Sequence, residues 1–246
     1  MVTDIHIPFD TTSIPAYFTT PDILNKYPAI ILIPEIWGVN DNIKNITDRF
    51  QQQGYAVLVP NLLSETQMTN AVGKEIFEQL QNPATKNEAQ KKMRIALSPL
   101  ASPGFAEDAI EKLKICFGYL QQQEKINGKI GAIGFCFGGT YAFALATAQP
   151  ELKAAIPFYG HAPEPEKIQD IVCPILAFYG EKDTELVSQL PELNETMAAL
   201  HKKFLAVQYP DCGHAFFRDT DPTTYNKDAS DDAWERMLAF LKDNLL

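Results

Sequence analysis

Two hydrophobic rhythms alternate along this chain. Continuous apolar runs rich in branched residues recur as PAIILIP (28–34), YAVLVP (55–60), KIGAIGF (129–135), KAAIPFYG (153–160), PILAFYGE (174–181) and FLAVQYP (204–210). PAIILIP and YAVLVP, with no polar alternation, predict strands buried on both faces, as in a parallel sheet, and the other runs predict further strands. Between them lie segments with helical spacing: 41–53 ending near Gly54, 105–123, 138–149 and 190–203. In the tail DDAWERMLAFLKDNLL, residues Trp234, Met237, Leu238 and Leu241 fall at i, i+3, i+4 and i+7, one apolar face of a helix. Two shorter runs, TDIHIPF and IPAYFTT, predict a hairpin or edge ribbon ahead of the first buried strand. Strands alternating with helices predict an α/β fold: a mostly parallel central sheet with helices on both faces. The stretch 61–105, with Pro83, Pro99 and Pro103, is the least regular and reads as short helices over one end of the sheet. Whether it moves as a lid is left open by the pattern.

Composition narrows the classes. The 246 residues are 46% hydrophobic and 11% aromatic, enough for a sizeable core in a single domain spanning 1–246. The formal net charge of -10 opposes binding to nucleic acid, while a local basic pocket for a small anionic substrate stays compatible with it. The first ten residues lack the basic and apolar regions of a signal peptide. No uncharged stretch approaches the ~20 residues of a spanning helix, so no membrane partner is expected. Cys116, Cys136, Cys173 and Cys212 show neither metal-type spacing nor a dense framework and read as free thiols of a cytoplasmic protein. The oligomeric state is not encoded in any of these features, and a monomer is compatible with all of them.

In an open parallel sheet, ligands bind where strands end at their carboxyl edges. Cys136 follows GAIGF, Asp183 follows PILAFYGEK and His214 follows AVQYPDCG. The chain order nucleophile, acid, base is that of the α/β-hydrolase arrangement. Gly134-Phe-Cys136-Phe-Gly138 between a strand and a helix matches a nucleophile elbow with cysteine in the serine place. The new helix would begin behind the sulfur, where its dipole and an imidazolium at His214 favour thiolate. The N–H groups of Phe137 and of Ile36, in the loop after IILIP, are the expected oxyanion donors. Asp170, Glu181 and Glu185 compete with Asp183 for the acid, and Asp183 could also serve as a helix cap; position after the strand favours it as the acid. His161 follows another strand end and is a candidate for the pocket wall. Cys116, Cys173 and Cys212 read as structural, His6 as a strand-surface residue and His201 as a helix-end one. A zinc site of Cys136, Asp183 and His214 is disfavoured, because the elbow offers no second thiolate and no histidine pair.

PEIWGVN (34–40), GAIGFCFGGTYAF (131–143), FYGEKD (178–183) and GHAFFR (213–218), followed by YNKDASDDAWERMLAFL, stand in an order that resembles the dienelactone hydrolase (carboxymethylenebutenolidase) family from about residue 28 onward. The resemblance implies an α/β-hydrolase fold and cysteine-dependent hydrolysis of a carboxylate-bearing enol-lactone. A carboxylesterase or thioesterase of the same fold is the alternative. It implies that Cys136 attacks the carbonyl, His214 transfers protons, Asp183 orients His214, and Glu35 holds the thiol neutral at rest until substrate displaces it. It implies that Arg218 binds the substrate carboxylate, a role suited to the planar guanidinium fork. A second arginine is implied from the variable stretch, where Arg94 stands alone between Arg49 and Arg218; Lys91 or Lys92, or no residue, could take its place. Trp37 falls where an aromatic lines the pocket or simply packs. No metal or organic cofactor is implied.

Overall fold

The computed structural model describes residues 2–66, 70–80, 82, 84–102 and 104–246. Pro83 and Pro103 lie outside the described residues. Strands β1 (Val2–Phe9) and β2 (Thr12–Thr19) form the expected hairpin, and β3 (Tyr27–Ile33), β4 (Ala56–Pro60), β5 (Ile126–Phe135), β6 (Ala154–Phe158), β7 (Ile175–Gly180) and β8 (Phe204–Tyr209) complete one sheet in the order β1-β2-β4-β3-β5-β6-β7-β8. β1, β2 and β4 pair antiparallel, and every pairing from β4 to β8 is parallel. The carboxyl ends of β3 to β8 therefore share one edge.

The central strands need cover on both sides, and the helices supply it. Every residue of β3, β4, β6 and β7 is buried. Helix α1 (Asp41–Gln52) starts at Asn40, whose side chain accepts the Ile43 N–H at 3.1 Å, and turns Ile43, Ile46, Thr47 and Phe50 inward. Satisfying a first-turn N–H in this way contributes about 1 kcal/mol. Helix α9 (Lys227–Leu245) is capped by Asn226 and buries Ala229, Ala233, Met237, Leu241 and Leu245 along one stripe. Phe50 of α1 meets Trp234 of α9 with ring centroids 4.7 Å apart, so these two helices pack side by side. α4 (Phe105–Gln121) packs against α5 (Phe137–Ala148). A Cβ on Gly131 of β5 would meet Leu245 of α9 at 3.1 Å, whereas one on Gly134 would strike the first turn of α5. Alternation along a strand puts those two positions on opposite faces, hence α9 and α5 as well.

The 61–105 stretch contains α2 (Asn70–Leu80), α3 (Lys86–Ala96) and a 3-10 turn (Ser98–Ala101) with Pro99 in its first positions. Its buried residues Ile76, Ala89 and Ala96 make a small cluster separate from the main core, touched from the body by Trp37. Smaller helices are α6 (Pro165–Ile168), α7 (Thr184–Val187) and α8 (Leu190–Ala199). Two boundaries differ most from the sequence pattern. α8 stops at Ala199 rather than running to 203, because His201 adopts φ 53° and turns the chain into β8. α9 begins at Lys227 rather than 231, since Asn226 provides a cap that hydrophobic spacing does not register. His6 and His201 are exposed, and Cys116, Cys173 and Cys212 are buried free thiols. Among the described residues, no helix is long and apolar enough to cross a membrane.

Candidate active site

The corner between β5 and α5 is built by backbone crowding. Cys136 sits at φ 56° and ψ -115°, a conformation that side chains other than glycine rarely adopt. Its N–H donates to Phe158 O of β6 at 3.0 Å, and its carbonyl accepts the Thr140 N–H that opens α5. A Cβ on Gly134 would come within 1.8 Å of Gly138 O, and one on Gly138 within 2.0 Å of Ile33 O. Only residues without a side chain let strand and helix approach so closely, which explains glycine two positions either side of the cysteine.

The sulfur is reached by the N–H of Phe137, which donates to it and favours its ionised form. Burial opposes this, joined by the charges of Glu35 and Asp183, and the thiol is pushed up to about 12. The resting thiol is thus neutral near pH 7. The expectation that the helix N-terminus and His214 would favour thiolate is outweighed by desolvation and by Glu35.

The loop after β8 carries His214, and the end of β7 carries Asp183. His214 Nδ1 lies 2.6 Å from Asp183 Oδ2. Asp183 occupies the N-cap of α7, but its side chain makes no capping bond, because it turns to the imidazole. Its competitors Asp170, Glu181 and Glu185 are all exposed. The two loops are held together by Glu181 N–H to Tyr209 O at 3.0 Å and Lys182 N–H to Cys212 O at 2.8 Å. Cys136 and His214 line one cavity of about 320 Å³. His161 lines it too, as the sequence suggested.

Glu35 follows β3 and is buried. Its Oε2 accepts from Arg218 Nη1 at 2.9 Å and its Oε1 from the Tyr159 hydroxyl at 3.4 Å. Ile36 and Trp37 form the middle of a turn closed by Gly38 N–H to Glu35 O at 3.0 Å, and that bond leaves the Ile36 N–H uninvolved. Arg218 donates through Nη2 to Asp221 at 2.7 Å, so one guanidinium serves two carboxylates with only 9% of its side chain exposed. Burial works against the charge on Arg218, but Glu35 and Asp221 outweigh it and hold the guanidinium protonated. Burial likewise opposes ionisation of Asp221, yet the donors of Thr223 and Arg218 keep its carboxyl below the usual range.

Three residues expected near the substrate, Trp37, Arg94 and Arg218, are not among the described residues lining the Cys136 cavity. Trp37 packs edge-on against Phe77 of α2, centroids 5.4 Å apart, and lines a second cavity of about 460 Å³ together with Arg218. Arg94 is exposed on the last turn of α3 and is not among the described residues lining the Cys136 cavity; Lys92 pairs with Glu75 at 3.0 Å and Lys91 with Glu88 at 3.7 Å. Sequence reasoning did not pick out Tyr159 or Asp221. Tyr159 follows β6, stands at φ 37°, and packs its ring 4.9 Å from that of His214. Burial, then the nearby negative charge of Glu35, pushes its phenol well above the ordinary value, so it remains a neutral donor. Its place directly after a buried strand was the available signal. Asp221 had only the acid-after-arginine spacing, which is too common to single it out. Among the described residues, no group of three His, Cys, Asp or Glu is arranged to hold a metal ion.

The sheet order, the helices on both faces and the strand-end positions of Cys136, Asp183 and His214 define an α/β-hydrolase fold. A model of the dienelactone hydrolase family matches residues 14–245, and the chain belongs to that family of carboxylic ester hydrolases. A protein of Saccharolobus solfataricus, provisionally named a carboxymethylenebutenolidase, is 36% identical over 98% of each chain. One from Yersinia pestis with the same provisional name is 28% identical over 94% of this chain and 84% of its own. Among solved structures, a provisionally named dienelactone hydrolase of Klebsiella pneumoniae superposes with a TM-score of 0.80 at 24% identity, covering 98% of both chains. The dienelactone hydrolase of Anabaena variabilis gives 0.70 at 14% identity, covering 100% of this chain and 99% of its own.

Proposed function

We propose that this protein hydrolyses an enol-lactone or another activated ester through a Cys136–His214–Asp183 triad. The observation that carries the reading is the strained cysteine at φ 56° in the same cavity as an imidazole held 2.6 Å from Asp183. His214 Nδ1–H donates to Asp183, which leaves Nε2 as the base. As the thiol proton passes to Nε2, the sulfur attacks the carbonyl carbon and the C=O pair moves onto oxygen. The N–H groups of Phe137 and Ile36 receive that oxyanion. Collapse breaks the C–O bond, and His214 returns the proton to the departing oxygen. Water then attacks the thioester with His214 again as base, freeing the acid and restoring the thiol.

Glu35 fits the role of guard. A neutral resting thiol resists oxidation better than a thiolate, and Glu35 is one cause of that neutrality. An enolate leaves readily where an amine would not, so esters and lactones suit this triad better than peptides. The test is intact-mass analysis during turnover of a slow activated ester. An acyl adduct on wild type that decays with product formation, and that Cys136→Ala does not form, is the expected result. Hydrolysis by Cys136→Ala at the wild-type rate would remove the nucleophile and the reading with it.

A further inference from the structure

We infer that two copies of this chain form a two-fold dimer through the outer edge of β8, one β8 lying antiparallel to the other so that a single sheet runs through both subunits. β8 stands last in the sheet order and, among the described residues, pairs with β7 alone. The Ile175 N–H donates to Lys203 O at 2.8 Å and the Glu181 N–H to Tyr209 O at 3.0 Å, so the odd-numbered residues of β8 aim their backbone groups at β7. By alternation, the N–H and C=O groups of Phe204, Ala206 and Gln208 face the open side. Such a row invites another strand unless charge, proline or a covering element blunts it. The opposite edge of the sheet is blunted in this way: β1 carries Asp4, His6 and Pro8. β8, FLAVQY, has no charge and no proline. Its residues up to Gln208 stay half-buried or exposed, whereas all of β7 is buried. Leu205 is 55% exposed.

The occupant is a second copy because the strand matches itself. Centred on Ala206, antiparallel pairing sets Phe204 opposite the partner's Gln208 and Ala206 opposite the partner's Ala206. Every outward N–H and C=O of these residues then has a counterpart. Leu205 falls opposite the partner's Val207 in a close pair, which covers the exposed leucine. Charge selects the same direction. Lys202 and Lys203 stand at the amino end of β8, and Asp211 lies just past its carboxyl end, where the Tyr209 hydroxyl also donates to Asp232 at 2.7 Å. Lys202 is committed to Gln169 O and Ile171 O, but Lys203 is exposed. Opposite the partner's Tyr209, it comes within reach of the partner's Asp232 and the partner's Asp211. Each acid also serves a cation of its own chain, Lys182 at 3.2 Å and Arg236 at 2.7 Å, so the added attraction fixes orientation more than affinity. Parallel docking would instead set lysine beside lysine. Antiparallel docking sends the carboxyl ends of the two sets of strands to opposite sides, so both Cys136 cavities stay open.

Sedimentation velocity of the full chain at about 50 μM is the deciding experiment, a concentration that populates a dimer of micromolar affinity. Wild type should sediment as a dimer. Ala206→Pro removes the central N–H without touching the bonds to β7, and Leu205→Lys puts an ammonium into the apolar pair; each should weaken association by about tenfold or more. Under mild oxidant, Ala206→Cys should give a disulfide-linked dimer, since directly opposed residues of this kind have Cα atoms about 5.5 Å apart, within disulfide reach. Leu205→Cys, which faces a valine, should cross-link far less, and wild type should not cross-link. A wild-type monomer at that concentration would overturn the inference. So would a dimer that Ala206→Pro and Leu205→Lys both leave intact, or equal cross-linking of the two cysteine variants. Should Ala206→Pro fail to fold, Leu205→Lys, altered at an exposed side chain, decides in its place.

Discussion

Two cavities, one lined by Arg218 and the other by Cys136, are built on different principles. The larger, about 460 Å³, is walled by Trp37 and Phe77 and ringed by Lys44, Lys74, Asp41 and Glu78. The smaller, about 320 Å³, holds the sulfur and the imidazole among aromatic rings. Volume and charge mark the first; backbone strain marks the second. Cys136 at φ 56°, Tyr159 at 37° and Ala215 at 62°, next to His214, all belong to the smaller cavity or its margin. Such conformations cost on the order of 1–3 kcal/mol each and persist only where surrounding structure enforces them. The surroundings here are close main-chain contacts: Gly134 against Gly138, Gly138 against Ile33 and Gly139 against Phe158. The lesson is that backbone strain gathers around the cysteine and the imidazole, not where the fold leaves more room.

On that contrast, changes at the smaller cavity should abolish rate, and changes at the larger should act mainly on stability. The largest effect is expected for Asp183→Asn, which reverses the hydrogen-bond demand on His214 Nδ1. Its kcat should fall by about a thousandfold with KM little changed and the melting temperature held; loss of less than about tenfold would remove Asp183 from the base's support.

Next comes the Glu35–Arg218 pair. Arg218→Met leaves Glu35 and Asp221 buried without their shared cation, and urea denaturation should show a loss of about 3–5 kcal/mol. KM for neutral and carboxylate-bearing esters should rise together. A selective loss on the carboxylated ester would support the substrate-binding role that the family resemblance implied for Arg218.

Glu35→Gln tests the guard. Burial, then Glu35, raises the Cys136 thiol from 9.0 to about 12, so removing the carboxylate charge lowers it. Iodoacetamide should alkylate the variant about tenfold faster than wild type at pH 8, and an unchanged rate would show that burial alone keeps the thiol neutral. The sign for stability follows. A thiol that ionises later in the folded than in the unfolded chain stabilises fully below pH 9.0, and this contribution is lost as pH rises toward 12. The smallest effect belongs to Phe77→Ala at the larger cavity. It removes the edge contact to Trp37 and the ring beneath Arg218, for about 1 kcal/mol, with kcat within about twofold of wild type. A larger fall in kcat would show that the α2–α3 lobe takes part in the chemistry.

Much of this was written locally. The buried runs 28–34, 129–135 and 174–181 are strands because unbroken branched and apolar residues need cover on both faces, and that demand is visible without coordinates. Cys136, Asp183 and His214 were legible because each lies within a few residues of a strand end, and parallel pairing brings all those ends to one edge. Gly134 and Gly138 announced the sharp corner, since only a missing Cβ tolerates contacts near 2 Å.

What tertiary structure alone decided is where side chains of ordinary type point once their loops are packed. Asp183 could have capped α7, yet reaches His214. Arg218 matched a carboxylate-binding position, yet spends its donors on Glu35 and Asp221. Trp37 turned to Phe77 and the second cavity, and Tyr159 came to join the Glu35 carboxylate to the His214 ring. Backbone demands such as burial, capping and close approach act within a few residues and leave a mark in the chain. A guanidinium's choice among acids is settled by distances between segments 183 residues apart, and no short stretch of sequence contains them.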